Sequence, residues 1–468
     1  MYQDTIAAVS TAIGEGAIGI IRVSGPEAIE IVRKVFKPKY GKTIDQWQSH
    51  TLHLGTVIHP DQGQPIDEVL VAWMKGPKTF TTEDVAEFHC HGGSLPLRET
   101  LEAILRAGAR LAEPGEFTRR AFLGGRLDLA QAEAIMEVIQ SKTRDGLGAA
   151  LSQLEGHLSK KIKEVSDRLL QVMAHLEALI DFPEEDLPEL SDEKLRTDLE
   201  IIKNELIGLL QRAQTGKVLR EGWKTVIIGR PNVGKSSLLN ALLDEQRAIV
   251  TDIPGTTRDA IEEMIDLGGI PLRLIDTAGI RETADQVEKI GVEKTLHYME
   301  KADLILFVLD GSEKVTAEEK ELLSSLKNRP AIVLINKADL EERKIDQEEV
   351  KTITHQKPII SISAREAWGL EELSKVIRQF VYGDEKEKTA SSLEYERLDL
   401  ITQARHREAI ERALQHIQQM IVDLELQTSP DFLTIDLRAA WEALGEITGH
   451  TVGEDVMDKI FSSFCIGK

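Results

Sequence analysis

The chain has 468 residues, a formal net charge of −22 at pH 7, two cysteines and 4% aromatic residues. The length implies roughly two to four domains. The acid excess and scarcity of stacking rings exclude a surface built throughout for nucleic acid, so any RNA must meet a local basic patch or be held largely by a partner. Two cysteines cannot build a zinc cluster and require no disulfide, and there is neither a run of about eighteen apolar residues nor a signal-peptide pattern. A reduced, soluble, cytoplasmic protein without a membrane partner is expected.

Residues 1–118 read as an α+β domain. Residues 18–23, 51–58, 68–73 and 84–89 have strand character, and 28–35 and 95–106 have helix character. Its polar candidates are Arg22, Glu87, His89 and His91. Alternation along a strand puts His89 and His91 on one face and Cys90 on the other. No carboxylate or cysteine is spaced nearby in sequence, so polar strand residues before a glycine turn are the preferred reading over a metal site.

From 129 to 214 the apolar residues recur at three and four, as Leu151, Leu154, Leu158, Ile162, Val165 and Leu169 illustrate, which predicts long helices. An acidic run with Pro183 interrupts them at 181–186, and Ser191 reads as the N-cap of the next helix. A charged linker is expected at 384–388, followed by helices over about 392–426, 436–444 and 453–461. Between these flanks, strands and helices alternate as in an α/β domain. The economical organisation is a helical domain in two parts, 119–216 and 384–468, split by an inserted domain at 217–383, with Gly216 and Gly383 near the crossing points. The expected fold is therefore multidomain α/β: an α/β domain, with a mostly parallel sheet covered by helices on both faces, inserted in an all-α domain and preceded by the α+β domain.

The inserted domain carries the chemistry. GRPNVGKS at 229–236 lies between an apolar strand at 225–228 and a helix at 237–243, the context a phosphate-binding loop needs. Glycines let successive N–H groups wrap an anion, Lys235 supplies a mobile positive charge to the outer phosphates, and the Ser236 hydroxyl can ligate Mg²⁺. DTAG at 276–279 follows a strand at 272–275. Asp276 there can hold Mg²⁺ through water, and the Gly279 N–H can meet the γ-phosphate. NKAD at 336–339 follows the strand 331–335. The Asp339 carboxylate can accept both donors of the guanine edge, which adenine lacks, while the Lys337 stem packs on the base. SAR at 363–365 follows the strand 358–362 and closes the base pocket. Four motifs in this order predict GTP over ATP. The nucleotide set is Asn232, Val233, Gly234, Lys235, Ser236, Ser237, Thr251, Thr256, Thr257, Asp276, Thr277, Ala278, Gly279, Asn336, Lys337, Asp339, Ser363, Ala364 and Arg365.

Ile280 stands where many small GTPases carry a water-orienting glutamine, so another group must orient water. Thr256 and Thr257 are both candidates for the hydroxyl that closes on Mg²⁺ and the γ-phosphate; Thr257 is paired with Ser236 as the expected Mg²⁺ set. Arg258 and Arg281 are better read as solvated charges than as arginine fingers.

The order GRPNVGKS, TDIPGTTRD (251–259), DTAGIRE (276–282), NKAD and SAR, with the final residues Phe464-Cys-Ile-Gly-Lys468, resembles the MnmE (TrmE) family of tRNA-modification GTPases. EDVAE at 83–87, PGEFTR at 114–119 and LDLAQAE at 127–133 extend the resemblance over essentially the whole chain. It implies a homodimer through the N-terminal domain, which binds a 5-formyltetrahydrofolate-type cofactor. It implies a partnership with the flavoprotein MnmG to install an aminomethyl-type group on C5 of the wobble uridine of certain tRNAs. It implies K⁺ held by Asn232, Thr251, Ile253 and Thr256, in place of an arginine finger. Glu288 matches a water-orienting catalytic residue, beside Lys235. Arg22, Glu87, Arg126 and Lys468 match a folate site, and Cys465 lies in the terminal motif as a possible reactive thiol. Two other functions remain open: a regulatory switch needing no folate pocket, and a one-carbon enzyme with a merely structural GTPase part. The first is disfavoured by the N-terminal domain and Lys468, the second by the intact Ser236, Thr257 and Asp276.

Overall fold

A computed structural model of the chain describes residues 4–12, 14–41, 43–181, 192–245, 263–275, 292–383 and 400–468. The chain divides into two compact units, Met1–Met136 with Trp441–Lys468, and Glu137–Ala440. No helix among the described residues is long and apolar enough to cross a membrane.

The first unit contains β1 (Ile6–Val9), β2 (Ile18–Ser24), α1 (Ala28–Val35), β3 (Phe36–Pro38), β4 (Thr51–Ile58), β5 (Pro65–Met74), β6 (Val85–His91), α2 (Ser94–Arg106), β7 (Arg110–Leu111) and α3 (Glu116–Leu123). The seven strands form one sheet in the order β3-β4-β5-β6-β2-β1-β7, antiparallel except for β1 with β7. Period-two patterning decides its faces. Ile21, Val23, Val69, Val71, Phe88 and Cys90 are buried in one core with Ile31 and Val32 of α1 and Ile104 of α2. Glu87, His89 and His91 point the other way, so the expected alternation around Cys90 stands. Burial pushes the Cys90 thiol up to about 12.

One fully buried arginine holds α3 to the sheet. Arg120 Nη2 donates to Glu116 Oε1 and Asp4 Oδ1, both at 2.9 Å, and its Nη1 to Glu83 Oε1 at 3.1 Å. Burial alone would raise the Glu116 pKa. Arg110, the Glu113 N–H and Arg120 outweigh it and hold the carboxyl below its usual range. A group depressed in this way stabilises the fold above its ordinary value of 4.5, and that contribution is lost as pH falls below it.

In the second unit the expected helical tract resolves into separate helices. α4 (Leu129–Gln140) begins in the first unit, and α5 (Arg144–Leu154), α6 (His157–Asp181) and α7 (Asp192–Glu221) follow. Thr143 caps α5 by accepting from the Gly146 N–H, and Gly156, at φ 86°, separates α5 from α6. Pro183 and Ser191 lie outside the described residues. Gly216, expected near a crossing point, sits inside α7, where a Cβ would run into the Ile401 carbonyl. The chain instead turns at Gly222, φ 81°, into the first strand of the second sheet.

That sheet contains β8 (Trp223–Ile228), β9 (Glu263–Leu267), β10 (Ile270–Leu274), β11 (Leu304–Asp310), β12 (Ala331–Asn336) and β13 (Ile359–Ser361) in the order β13-β12-β11-β8-β10-β9, parallel except for the β9–β10 hairpin. α8 (Lys235–Glu245) and the helices Val292–Lys301, Ala317–Ser324, Gln347–Ile353 and Leu370–Tyr382 connect and cover it. Every residue of β11 and β12 is buried, as continuous apolar strands between helical layers must be. The expected helix from 392 starts later, as Ala404–Glu425. Residues 400–403 are extended, with Leu400 and Ile401 in the core, and 392–399 lie outside the described residues. The 436–444 helix is longer, Pro430–Thr448, and the last runs Glu454–Ser462. Gln153 Nε2 donates to Leu400 O at 2.8 Å and Thr402 Oγ1 at 2.9 Å, and Thr402 Oγ1 donates to the Glu137 carboxylate at 2.7 Å. These bonds tie the returning chain to the helices before the α/β insertion.

Arg120→Met should lower hydrogen-exchange protection of β1 and α3 by about 1–3 kcal/mol at neutral pH, because it takes one of two cations from the buried Glu116 carboxylate, which keeps Arg110, and removes the arginine partner of Glu83. The penalty should narrow as pH drops below 4.5, where wild type also loses the Glu116 contribution. A penalty independent of pH would show that the loss is one of packing alone.

Candidate functional site

The loop after β8 has the backbone of an anion cradle. Asn232 and Gly234 are left-handed, at φ 65° and 98°, and a Cβ on Gly234 would land on the Asn336 amide nitrogen. Only glycine leaves that approach open. Val233 is buried under the loop, Asn232 is exposed at its crest, and Ser236 and Ser237 are exposed in the first turn of α8, a helix end that favours anions. Lys235 Nζ donates to the carbonyls of Gly229 at 2.8 Å and Arg230 at 2.6 Å. Its stem is thus folded over the loop, and burial lowers the ammonium pKa. A phosphate oxygen in the cradle would offer this cation a stronger acceptor than two carbonyls.

The base end is built on the ends of β12 and β13. Asn336 is buried; its Nδ2 donates to Val233 O at 2.8 Å and its Oδ1 accepts from Ala364 N at 2.9 Å. One amide therefore ties the phosphate loop to the 363–365 loop. Lys337, left-handed at φ 63°, reaches Asp310 Oδ2 at 2.5 Å. Burial alone would raise the Asp310 pKa, but Lys337 and Ser312 outweigh it and hold the carboxyl below the usual range. Asp339 is exposed, and Ser363 followed by its own N–H keeps it below the usual carboxylate range. Ser363 and Trp368 exchange two backbone hydrogen bonds of 3.0 and 3.1 Å, and Arg365 is exposed beside them.

The structure thus brings Asn232, Val233, Gly234, Lys235, Ser236, Ser237, Asn336, Lys337, Asp339, Ser363, Ala364 and Arg365 onto one edge of the sheet, at the carboxyl ends of β8, β12 and β13, where ligands of open α/β sheets sit. Thr251, Ile253, Thr256, Thr257, Asp276, Thr277, Ala278, Gly279 and Glu288 lie outside the described residues, as do Arg258, Ile280 and Arg281. Two participants were missed by motif reading. Asp310 ends the apolar strand LILFVLD, and an ionisable residue at a strand's carboxyl end was its available signal. Arg230, inside the phosphate loop, is spent on Glu319 and Glu313, both at 2.7 Å, and Glu319 also closes the capping box of Ala317–Ser324. No local pattern announced that pairing.

The first unit holds a second polar group. Arg22 Nε meets Glu87 Oε1 at 2.9 Å, and two guanidiniums approach the Phe80 ring, Arg22 Cζ at 5.2 Å and Arg126 Cζ at 4.9 Å from its centroid. Arg126 also donates to Phe80 O at 2.9 Å. Phe80 and Phe117, 5.7 Å from Arg22, were not anticipated. Lys468 is half-buried. The preceding Gly467, φ 92°, packs where a Cβ would meet the Val9 carbonyl, so the tail lies along the end of β1. Cys465 is exposed and its carbonyl accepts from the Gly115 N–H at 3.4 Å. His91 pairs with Asp67 at 2.6 Å and His89 Nε2 stands 3.6 Å from Glu87; no metal-ligating cluster occurs among the described residues.

Asn336→Ala should weaken GTP binding and destabilise the second unit, since it strips partners from the buried Val233 carbonyl and Ala364 N–H. About 1–3 kcal/mol is expected for each group left unsatisfied. Calorimetric titration with GTP beside thermal unfolding would check it, and unchanged affinity would show that the two loops hold their geometry without the amide.

Residues 129–465 match the family model described as MnmE helical domain, and residues 5–126 match that described as GTP-binding protein TrmE N-terminus. A protein of Heliobacterium modesticaldum named tRNA modification GTPase MnmE is 67% identical over 468 residues, covering 100% of both chains. A protein of the same name from Desulforamulus reducens is 50% identical, again covering 100% of both. Among solved structures, the FeoB G-domain from Methanococcus jannaschii is 26% identical, covering 34% of this chain and 97% of its own, with a TM-score of 0.25.

Proposed function

The chain belongs to the MnmE family and is a GTP hydrolase, and on that premise we propose that it is a K⁺-activated GTPase that modifies C5 of the wobble uridine in certain tRNAs together with the flavoprotein MnmG. The observation that carries the nucleotide half is Asn336, whose one side chain joins the phosphate loop to the base loop. GTP then lies from Lys235 to Asp339. Ser236, with Thr257, holds Mg²⁺, which supplies charge neutralisation at the phosphates. Asp339, ionised and steadied by Ser363, accepts from the guanine edge.

Potassium is the reading for the second cation. Asn232 stands exposed at the crest of the loop, and Thr251, Ile253 and Thr256 complete the set. Arg230 supports this reading, because two carboxylates already engage the arginine of the loop. A cation beside the phosphates stabilises negative charge in the transition state. Glu288 orients the water that Ile280 cannot.

The N-terminal unit is read as the site of a 5-formyltetrahydrofolate-type cofactor. Two guanidiniums at the Phe80 ring, with Glu87 on β6 beside Arg22, suit a planar heterocycle carrying acidic groups. Lys468 is assigned to the same ligand, and Cys465 remains a candidate reactive thiol beside it. Homodimerisation through this unit is supported by Ile18, Leu52, Leu54 and Leu70, apolar side chains left exposed on β2, β4 and β5. In domain terms, the reading is an N-terminal folate domain at 1–118 and a helical domain, 119–216 with 384–468, interrupted by the GTPase at 217–383.

Two measurements bear on this. Single-turnover GTP hydrolysis should be much faster in K⁺ than in Na⁺, and Glu288→Ala should slow it by about 10²-fold or more while leaving nucleotide affinity within a few-fold. Equal rates in both salts would remove the K⁺ site, and an active Glu288→Ala would remove that residue from catalysis. Mass spectrometry of wobble uridines from cells lacking the chain should show the aminomethyl-type modification missing; its persistence would overturn the tRNA half of the reading.

A further inference from the structure

The turn joining β9 to β10 is held by charge as well as by packing. Gly268 and Gly269 make it, both left-handed at φ 62° and 90°, the pairing a tight hairpin turn requires. Asp145, in the first turn of α5, lies against it. Its Oδ2 accepts from Arg378 Nη1 at 2.8 Å and from the Tyr382 hydroxyl at 2.7 Å, and Arg378 Nη1 also donates to the Gly268 carbonyl. A Cβ on Gly269 would fall 2.7–2.9 Å from the Asp145 carboxylate atoms, so the backbone of the turn rests directly on that carboxylate. Asp266, in β9, accepts from the Gly269 N–H at 2.7 Å.

This clamp is more than the two parts need to stay together. Ala149 of α5 and Val218 and Leu219 of α7 already share an apolar core with Leu267, Ile270 and Leu272 of the hairpin. A partly buried ion pair adds little stability to such a contact, and the best-attested use of such pairs inside a fold is to fix registry. What it registers is set by the sequence. β9 begins at Glu263, just past the 251–259 motif, and β10 ends at Leu274, two residues before Asp276. β10 also pairs in parallel with β8, the strand that leads into the phosphate loop. The hairpin is therefore the piece of sheet bounded at both ends by nucleotide-contacting sequence, and its far end is gripped by a helix outside the α/β insertion.

We propose that Asp145 is a positioning residue of the GTPase cycle: its carboxylate fixes the β9–β10 turn against α5 and so carries displacement of the hairpin into the helical segment. Arg378 and Tyr382 act as its partners on the helix Leu370–Tyr382. The inference rests on the GTPase reading above and adds the route by which nucleotide state leaves the nucleotide site.

The test is hydrogen exchange of the full-length chain, with GDP and then with a non-hydrolysable GTP analogue, read over residues 144–154. In wild type the exchange of this segment should differ by about twofold or more between the two nucleotides. Asp145→Asn keeps the shape and removes the charge. It should bind both nucleotides within about threefold of wild type, as a residue remote from the ligand must, yet lose the nucleotide-dependent difference. Tyr382→Phe, which removes one hydroxyl only, should reduce the difference, and it carries the test alone if Asp145→Asn does not fold. A wild type that hydrolyses GTP but shows no difference at 144–154, or an Asp145→Asn that retains all of it, overturns the proposal and leaves the GTPase reading standing. A wild type that neither binds nor hydrolyses GTP overturns both.

Discussion

The buried amide of Asn336 is the constraint on which the second unit's site depends. A phosphate loop and a base-binding loop come from opposite ends of an α/β domain's sequence, and parallel strands alone set their separation only coarsely. Asn336 donates to one loop and accepts from the other, so a single planar group fixes both. Gly234 must be glycine because that amide sits where its side chain would be. The Lys337–Asp310 pair then anchors the next residue of the same motif to the neighbouring strand. Motif residues usually assigned to ligand are here also the scaffold.

Charge is used differently in the two units. In the first, Arg120 is surrounded by Glu83, Glu116 and Asp4, a cluster that stands because each carboxylate finds a guanidinium or N–H. Around Phe80 the guanidiniums face a half-exposed ring and a single carboxylate, leaving cationic and aromatic surface uncovered. The overall acid excess of the chain says nothing about such local inversions, which is why composition alone could only require a local basic patch without finding one.

Much of this architecture was legible in sequence where a strong local rule applied. The buried strands of the second sheet are unbroken apolar runs, and the phosphate loop has fixed spacing, so both could be read directly. The four long strands of the first sheet followed from alternation, while the short strands β1, β3 and β7, of four, three and two residues, carried too little pattern to be seen. Helix boundaries after 129 failed where capping decided them, at Thr143 and Gly156, since apolar periodicity runs straight through. Gly216, read only as lying near a crossing point, is a glycine inside a helix, which signals close approach of another backbone as readily as a break. Phe80, Asp310 and Arg230 were invisible because their partners lie far away in sequence, and no local rule reports them.

The bonds that return the chain to the helical segment have a consequence for the order in which the molecule assembles. Gln153 and Leu400 are 247 residues apart, and Thr402 and Glu137 are 265 apart. As an unstructured loop, the intervening chain would impose a large entropic penalty on closing these contacts. Folded first, as an α/β body emerging during synthesis, it can bring its two ends near each other before residue 400 arrives. The helical segment would then be a late-closing structure, and a slow step in folding the α/β insertion would delay burial of Glu137 and Gln153 however well their own helices form.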